Sequence, residues 1–94
     1  MKIDNSIDAS GTSFHGSTVP CSFAILRNIL GEPAPGCSKT RYNWYGKIND
    51  RVFTVYDWKM DEFGENEMID WHIGGLNKEI TESARNAILE KLLG

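Results

Sequence analysis

Residues 40–59, TRYNWYGKINDRVFTVYDWK, contain the pattern that decides the fold class. The segments 40–48 and 52–59 both alternate in side-chain character and are rich in Tyr, Trp, Val and Phe, which favour strands. Asn49 and Asp50 lie between the two segments, and both residue types favour tight turns. Two alternating segments joined by two turn residues predict a β-hairpin.

The chain after the hairpin predicts one more strand and a helix. Residues 68–73 alternate again and are followed by Gly74 and Gly75. The two glycines either turn the chain from strand into helix, which we favour, or let a phosphate approach the helix N-terminus. Asn77 is the expected cap of a helix that runs to about Leu93. Its apolar stripe has the period of an amphipathic helix and consists of Ile80, Ala84, Ala87, Ile88 and Leu92.

The chain before the hairpin predicts a shorter helix. Ser17 or Thr18 supplies the expected capping oxygen, and Pro20 suits the first helical turn. The helix is expected to end at Leu30, because Gly31 is a common C-terminal stop and two prolines follow it.

Together these elements predict an α+β fold. A weak strand over 12–15, ended by Gly16, precedes the first helix, and residues 31–37 form a loop. The predicted architecture is an antiparallel sheet of three to four strands with two helices packed on one face. Residues 1–10 are expected to be a flexible N-terminal segment and residues 11–94 a single α+β domain.

Composition excludes several classes of protein. The formal net charge is −3, with ten basic and thirteen acidic residues, which argues against general nucleic-acid binding. No apolar run is long enough to span a membrane, and the N-terminus lacks the apolar segment of a signal peptide. We therefore expect a cytosolic protein in which Cys21 and Cys37 are free thiols.

Alternation along the strands separates an apolar face from a mixed face. The apolar sets, such as Phe53 with Val55, belong under the helices. The mixed face carries Thr54, Tyr56, Trp58, Asp70 and His72. It is joined either by Asn43 and Tyr45 or by Tyr42 and Trp44, and the sequence leaves this choice open. Two explanations for exposed aromatic rings stay open. Either a dimer partner or the N-terminal segment covers the rings, or the rings form a platform that binds a planar ligand.

The window 39–59 favours the ligand platform. It contains five of the ten basic residues and six of the ten aromatic ones, a mixture that suits a ligand with a phosphate and a base. An ordinary hairpin with solvated Lys and Arg is an equally good explanation. The sequence has no metal-ligand spacing and no phosphate-loop, dinucleotide or hydrolase motif. We therefore predict no enzyme, no catalytic residues, no metal and no cofactor, giving little weight to Cys–His and Asp57–Asp70 pairs.

The hairpin and the third strand resemble a widespread family of small phage-encoded proteins. The pattern is KT…W…YDWK…WHIGG, carried by Lys39-Thr40, Trp44 and residues 56–59 and 71–75, after a helix ending in Leu-Gly-x-Pro. The resemblance covers about residues 22–75 and leaves out the N-terminus and the last helix. The family is similar to phage anti-defence sponges, which are small oligomeric proteins that bind host cyclic-nucleotide signals without cleaving them.

The resemblance implies a protein that sequesters a cyclic or linear nucleotide signal, as a homo-oligomer, in the cytoplasm of the infected bacterial host. Lys39 and Thr40 would hold phosphate, and Tyr56 or Trp58 would stack on a base. Lys59 and His72 would line the rim. Asn43 stands where the family is expected to have an acid, a departure that bears on ligand preference. The implied ligand-binding residues are Lys39, Thr40, Asn43, Tyr56, Trp58, Lys59 and His72.

A second hypothesis comes from the acidic segment 61–67, DEFGENE. An acidic surface can imitate the charge of nucleic acid against a basic cleft. The alternative function is therefore a protein-binding inhibitor of a host defence nuclease or CRISPR-type effector.

Overall fold

The computed structural model describes residues 1–36, 39–58 and 62–94. The α+β class predicted from the sequence is confirmed, but the sheet has six strands rather than three or four. In chain order the elements are β1 (Lys2–Ile3), β2 (Ser13–Ser22), α1 (Phe23–Leu30), β3 (Ala34–Pro35), β4 (Tyr42–Ile48), β5 (Arg51–Tyr56), β6 (Met68–Gly75) and α2 (Lys78–Leu93).

The sheet is antiparallel, and its strands lie in the order β1–β4–β5–β6–β2. The short strand β3 also pairs with β4, within the predicted loop 31–37. β1 lies within residues 1–10, where the sequence predicts only a flexible segment. These two strands have two residues each, which is too short to produce a periodic pattern.

The predicted hairpin is confirmed as β4 and β5. Their register pairs Ile48 with Arg51, so that Asn49 and Asp50 form a two-residue turn. Both turn residues have positive φ, 50° for Asn49 and 61° for Asp50. Two left-handed residues give the turn a twist that matches the twist of the flanking strands.

The predicted end of the first long strand at Gly16 is wrong, because β2 continues to Ser22. Gly16 has φ of 94°, and the register with β6 shifts between Phe14 and Thr18. A glycine with positive φ allows an irregularity of this kind without ending the strand.

The predicted start of the first helix is also wrong. α1 begins at Phe23, and Ser22 is its N-cap, with Oγ accepting from the backbone N–H of Ile25 at 3.3 Å. Pro20 lies in β2 opposite Asp70. Because β2 is an outer strand, a residue without a backbone N–H is tolerated there.

The other helix boundaries agree with the sequence. Gly31 ends α1 with φ of 88°, and its N–H donates to the carbonyl of Arg27 at 2.8 Å. Asn77 caps α2, because its Oδ1 accepts from the N–H of Ile80 at 3.0 Å.

Both helices pack on one face of the sheet and enclose the core. Two buried tryptophans lie at its centre, and each indole N–H donates to a carbonyl: Trp44 to Gly31 at 2.8 Å and Trp71 to Cys21 at 2.9 Å. The core side chains are Val19, Cys21, Phe23, Leu26, Leu30, Trp44, Phe53, Val55, Ile69, Trp71, Ile73, Ile80, Ala84 and Ile88.

Gly74 and Gly75 are the last two residues of β6, so the strand includes them and the chain turns into α2 only after them, which differs from the prediction. A Cβ on Gly75 would approach Ile80 and Thr81 of α2 within 3.1–3.2 Å, and one on Gly74 would lie 2.6 Å from Thr54 Oγ1. The pair therefore allows α2 and β5 to pack closely against β6. Across the described ranges, no helix combines the length and apolar character needed to cross a membrane.

Candidate ligand-binding site on the open face of the sheet

The register of β4 and β5 decides which residues share the face opposite the helices. Asn43 pairs with Tyr56, and Tyr45 pairs with Thr54, so Asn43 and Tyr45 join the mixed face. The opposite choice is excluded because Trp44 is completely buried in the core.

Four rings on this open face form an aromatic cluster: Phe14, Tyr56, Trp58 and His72. The rings of Phe14 and His72 are stacked, with centroids 4.0 Å apart. Trp58 lies nearly parallel to His72 at 6.4 Å, and Tyr56 meets His72 edge-on at 5.6 Å. Phe14 and Trp58 stay 42% and 40% exposed, so a planar ligand has access to both.

The titratable rings of the aromatic cluster are neutral at neutral pH. Burial lowers the pKa of His72, and the Asp70 carboxylate opposes this only in part. Burial raises the pKa of Tyr56, so its phenol keeps its proton. The surface therefore offers flat uncharged rings, which suit stacking against a base.

Lys39 brings a positive charge to the edge of the aromatic cluster. Its Nζ lies 5.6 Å from the centre of the Trp58 ring, within the range of a cation–π contact. The Lys39 side chain is exposed, so the ammonium can meet an anion from solvent. Lys59, the other lysine predicted for this site, lies outside the described residues.

A cleft of about 300 Å³ adjoins the aromatic cluster. Among the described residues, none that lines it carries a charged side chain, and Tyr56 belongs to both the cleft and the cluster. The two are therefore one continuous surface. The lining residues are Ala9, Thr12, Pro35, Gly36, Thr40, Asn43, Tyr45, Thr54 and Tyr56.

The carboxamide of Asn43 has a fixed orientation in this cleft. Its Nδ2 donates to the carbonyl of Pro35 at 3.3 Å and to Oγ1 of Thr40 at 3.1 Å. A carbonyl can only accept, so the nitrogen must face Pro35 and the oxygen must face away from it.

The N-terminal segment covers part of the open face, as one of the sequence alternatives proposes. Asn5 joins this segment to the sheet: its Oδ1 accepts from the N–H of Tyr45 at 3.1 Å, and its Nδ2 donates to the carbonyl of Glu32 at 2.9 Å. Ala9 and Thr12 then line the cleft. The cover is incomplete, since the aromatic cluster keeps two exposed rings.

The structure brings together the predicted ligand residues that it describes. Thr40, Asn43 and Tyr56 line the cleft, while Trp58 and His72 form the aromatic cluster with Lys39 beside them. The sequence reasoning missed Phe14, which pairs with Gly74 and therefore faces the same side as His72; the register shift between Phe14 and Thr18 brings it two residues closer to His72 along β6. A glycine inside an alternating segment is the signal that would have indicated such a bulge.

Two of the residues considered for catalysis, Asp57 and Cys21, have structural roles. Asp57 is buried, and its carboxylate accepts from the backbone N–H groups of Arg41 and Tyr42, both at 2.9 Å, which fixes the start of β4. Cys21 is a buried free thiol whose pKa is raised by burial, so it is a poor nucleophile. Cys37 lies outside the described residues. Within the described part of the chain, His, Cys, Asp and Glu form no cluster suited to a metal ion.

Fold and site together define a small α+β domain with a neutral aromatic cleft on the open face of its sheet. No family model, curated protein or solved structure matches this chain.

Proposed function

We propose that this protein binds a nucleotide on the open face of its sheet. The observation that carries the proposal is the exposed ring of Trp58, which has the Lys39 ammonium 5.6 Å away and contacts Tyr56, a residue that lines the neutral cleft. Stacking surface and positive charge thus lie side by side, as the two halves of a nucleotide require.

Each half of a nucleotide has a suitable partner here. A base is flat and uncharged, so it gains from stacking on Trp58 and from leaving water in the neutral cleft. A phosphate keeps its hydration at the rim, where Lys39 attracts it. The absence of charged side chains among the described cleft residues favours this orientation over one with the phosphate inside.

The biological proposal follows from the resemblance to phage anti-defence sponges. The ligand is a cyclic or linear nucleotide that a bacterial host uses as an immune signal, and the protein sequesters it in the host cytoplasm without cleaving it. The engagement of Asp57 and Cys21 in packing and hydrogen bonding supports binding rather than catalysis. The proposed active form is a homo-oligomer.

The acidic segment gives less support to an inhibitor of a defence protein. Glu62 and Glu65 form ion pairs with Arg41 and Arg27 at 3.5 and 3.8 Å, which offsets part of the negative charge. Phe63, which lies between Glu62 and Glu65 in the sequence, is partly buried and packs against the core. No observation favours this second function over nucleotide binding.

The test is a melting-temperature screen of the purified protein against linear and cyclic mono-, di- and trinucleotides. A ligand that binds the native state raises the melting temperature by mass action. Trp44 and Trp71 are fully buried, so a change in tryptophan emission on binding reports on Trp58. Mass spectrometry of the recovered nucleotide is expected to find it intact.

Two variants locate the site. Trp58→Ala is expected to weaken binding by at least about fivefold, because one base–aromatic stack contributes about 1–3 kcal/mol. Lys39→Ala should weaken it by about fivefold through the lost charge. The matched controls are Leu93→Ala and Lys91→Ala, which remove an apolar and a basic side chain at the exposed end of α2. If both site variants bound as well as the controls, the proposed site would be wrong.

A further inference from the structure

We infer that the cleft selects nucleobases that carry an exocyclic amino group, and that Oδ1 of Asn43 accepts a hydrogen bond from that group. The inference rests on the proposed nucleotide-binding function and adds the class of base to it.

The first step concerns the direction of the Asn43 side chain. Its Nδ2 uses both N–H bonds within the protein, one toward the carbonyl of Pro35 and one toward Thr40 Oγ1. The amide cannot be turned around, because two oxygen acceptors would then face each other at 3.3 Å. Asn43 therefore presents an acceptor rather than a donor to the cleft that it lines.

The second step concerns how rigid this acceptor is. Asn43 is the second residue of β4 and pairs on both sides, with Ala34 of β3 and with Tyr56 of β5. The phenol groups of Tyr45 and Tyr56, which also line the cleft, have hydroxyl protons that rotate, so each can either donate or accept. They adapt to many ligands, whereas the Asn43 oxygen keeps one role.

The third step places a base against this acceptor. Asn43 and Tyr56 are directly paired across β4 and β5, which puts their Cβ atoms within about 5.5 Å. Tyr56 in turn contacts Trp58 and His72 of the aromatic cluster. A base lying on these rings thus turns one polar edge toward Asn43, and an exocyclic amine supplies the donor that Oδ1 requires.

The test compares nucleotides that differ only in the amine. The two pairs are AMP with purine riboside 5′-monophosphate, and CMP with pyrimidin-2-one riboside 5′-monophosphate. We expect the amino member to bind about five- to tenfold more tightly in at least one pair, because the analogue leaves the Asn43 oxygen without a partner. Affinities come from titration of Trp58 emission and from calorimetry.

Asn43→Ala should abolish this preference while both members of the pair bind with the affinity of the weaker one. Asn86→Ala, an exposed amide on α2, is the matched control and should keep the preference. If the wild type binds both members of each pair equally, the inference about the amine is overturned while nucleotide binding stands. If no nucleotide in the broad screen binds, the proposed function and the inference fail together. The wild-type comparison is decisive even if Asn43→Ala does not fold.

Discussion

His72 occupies the centre of the aromatic cluster, and its ionisation affects the whole cluster. Its ring stacks on Phe14 and contacts Tyr56 and Trp58, so a charged imidazolium would replace a neutral ring within a partly desolvated stack. The exposed Asp70 on the same strand raises the pKa of His72, but it does not cancel the lowering caused by burial. The neutral form is therefore the one the fold prefers.

This preference predicts a pH dependence of stability. Since folding lowers the pKa of His72, the unfolded chain takes up a proton at higher pH than the folded chain. Stability is complete above the ordinary histidine value of 6.5 and is lost as the pH falls from there through the lowered pKa. We expect the melting temperature of the wild type to fall more than that of His72→Phe between about pH 7.5 and about pH 5.5.

The Phe ring keeps a flat surface but cannot take up a proton, so the difference between the two proteins isolates His72. His15→Gln removes the other histidine and should behave like the wild type. Parallel melting curves for wild type and His72→Phe across this range would contradict the assignment.

At the scale of elements, the turn between β4 and β5 holds two residues other than glycine at positive φ, Asn49 and Asp50. Asp50 has φ of 61°, a conformation that Gly adopts without steric cost and Asp adopts with some. We expect Asp50→Gly to raise the free energy of unfolding by about 0.5 kcal/mol, and Asp50→Val to lower it by about 1 kcal/mol or more. Urea unfolding measures both.

Asp50 is exposed, which keeps packing changes out of this comparison. Lys47→Val in β4 is the control for placing a valine at an exposed position. Lys47 is exposed like Asp50, but it lies in a strand, a conformation that Val favours. Equal stabilities for the Gly and Val variants at position 50 would show that the left-handed turn does not form.

Whether an element was predictable depended on how local its determinants are. The hairpin follows from two turn residues and the alternation on either side of them, all within about twenty residues. The start of α1 does not follow from local sequence. Ser17 and Thr18 belong to β2 because β2 pairs with β6, which lies about fifty residues further along the chain. Ser22 becomes the cap only once that pairing is known.

The site shows the same division between local and distant information. The alternation of β5 and β6 predicts that Tyr56 and His72 share the open face, as they do. The choice between Asn43 and Trp44 requires the register of β4, and the orientation of the Asn43 amide requires the carbonyl of Pro35 in β3. Neither the register of β4 nor the hydrogen bond between Asn43 and Pro35 produces a periodic pattern in the sequence.

At the scale of the whole molecule, the size of the cleft limits what one chain can hold. A volume of about 300 Å³ is at the lower end of the range for small-molecule sites. This is room for one base and its sugar, and Ala9 and Thr12 are among the residues that line it. A ligand with two bases would leave the second one in water unless another protein surface covered it.

A second copy of the chain is the surface we expect to cover it. The exposed rings of Phe14 and Trp58 belong to the aromatic cluster, which shares Tyr56 with the cleft, so two open faces can enclose one ligand between them. A dinucleotide that binds should therefore drive dimerisation with two chains per ligand, whereas a mononucleotide should bind without changing the mass. Sedimentation velocity at increasing ratios of ligand to protein measures both. Trp58→Ala should prevent the ligand-driven dimer, and Leu93→Ala should keep it. A dinucleotide bound one-to-one by a single chain would show that the cleft and the aromatic cluster form a complete site without a partner.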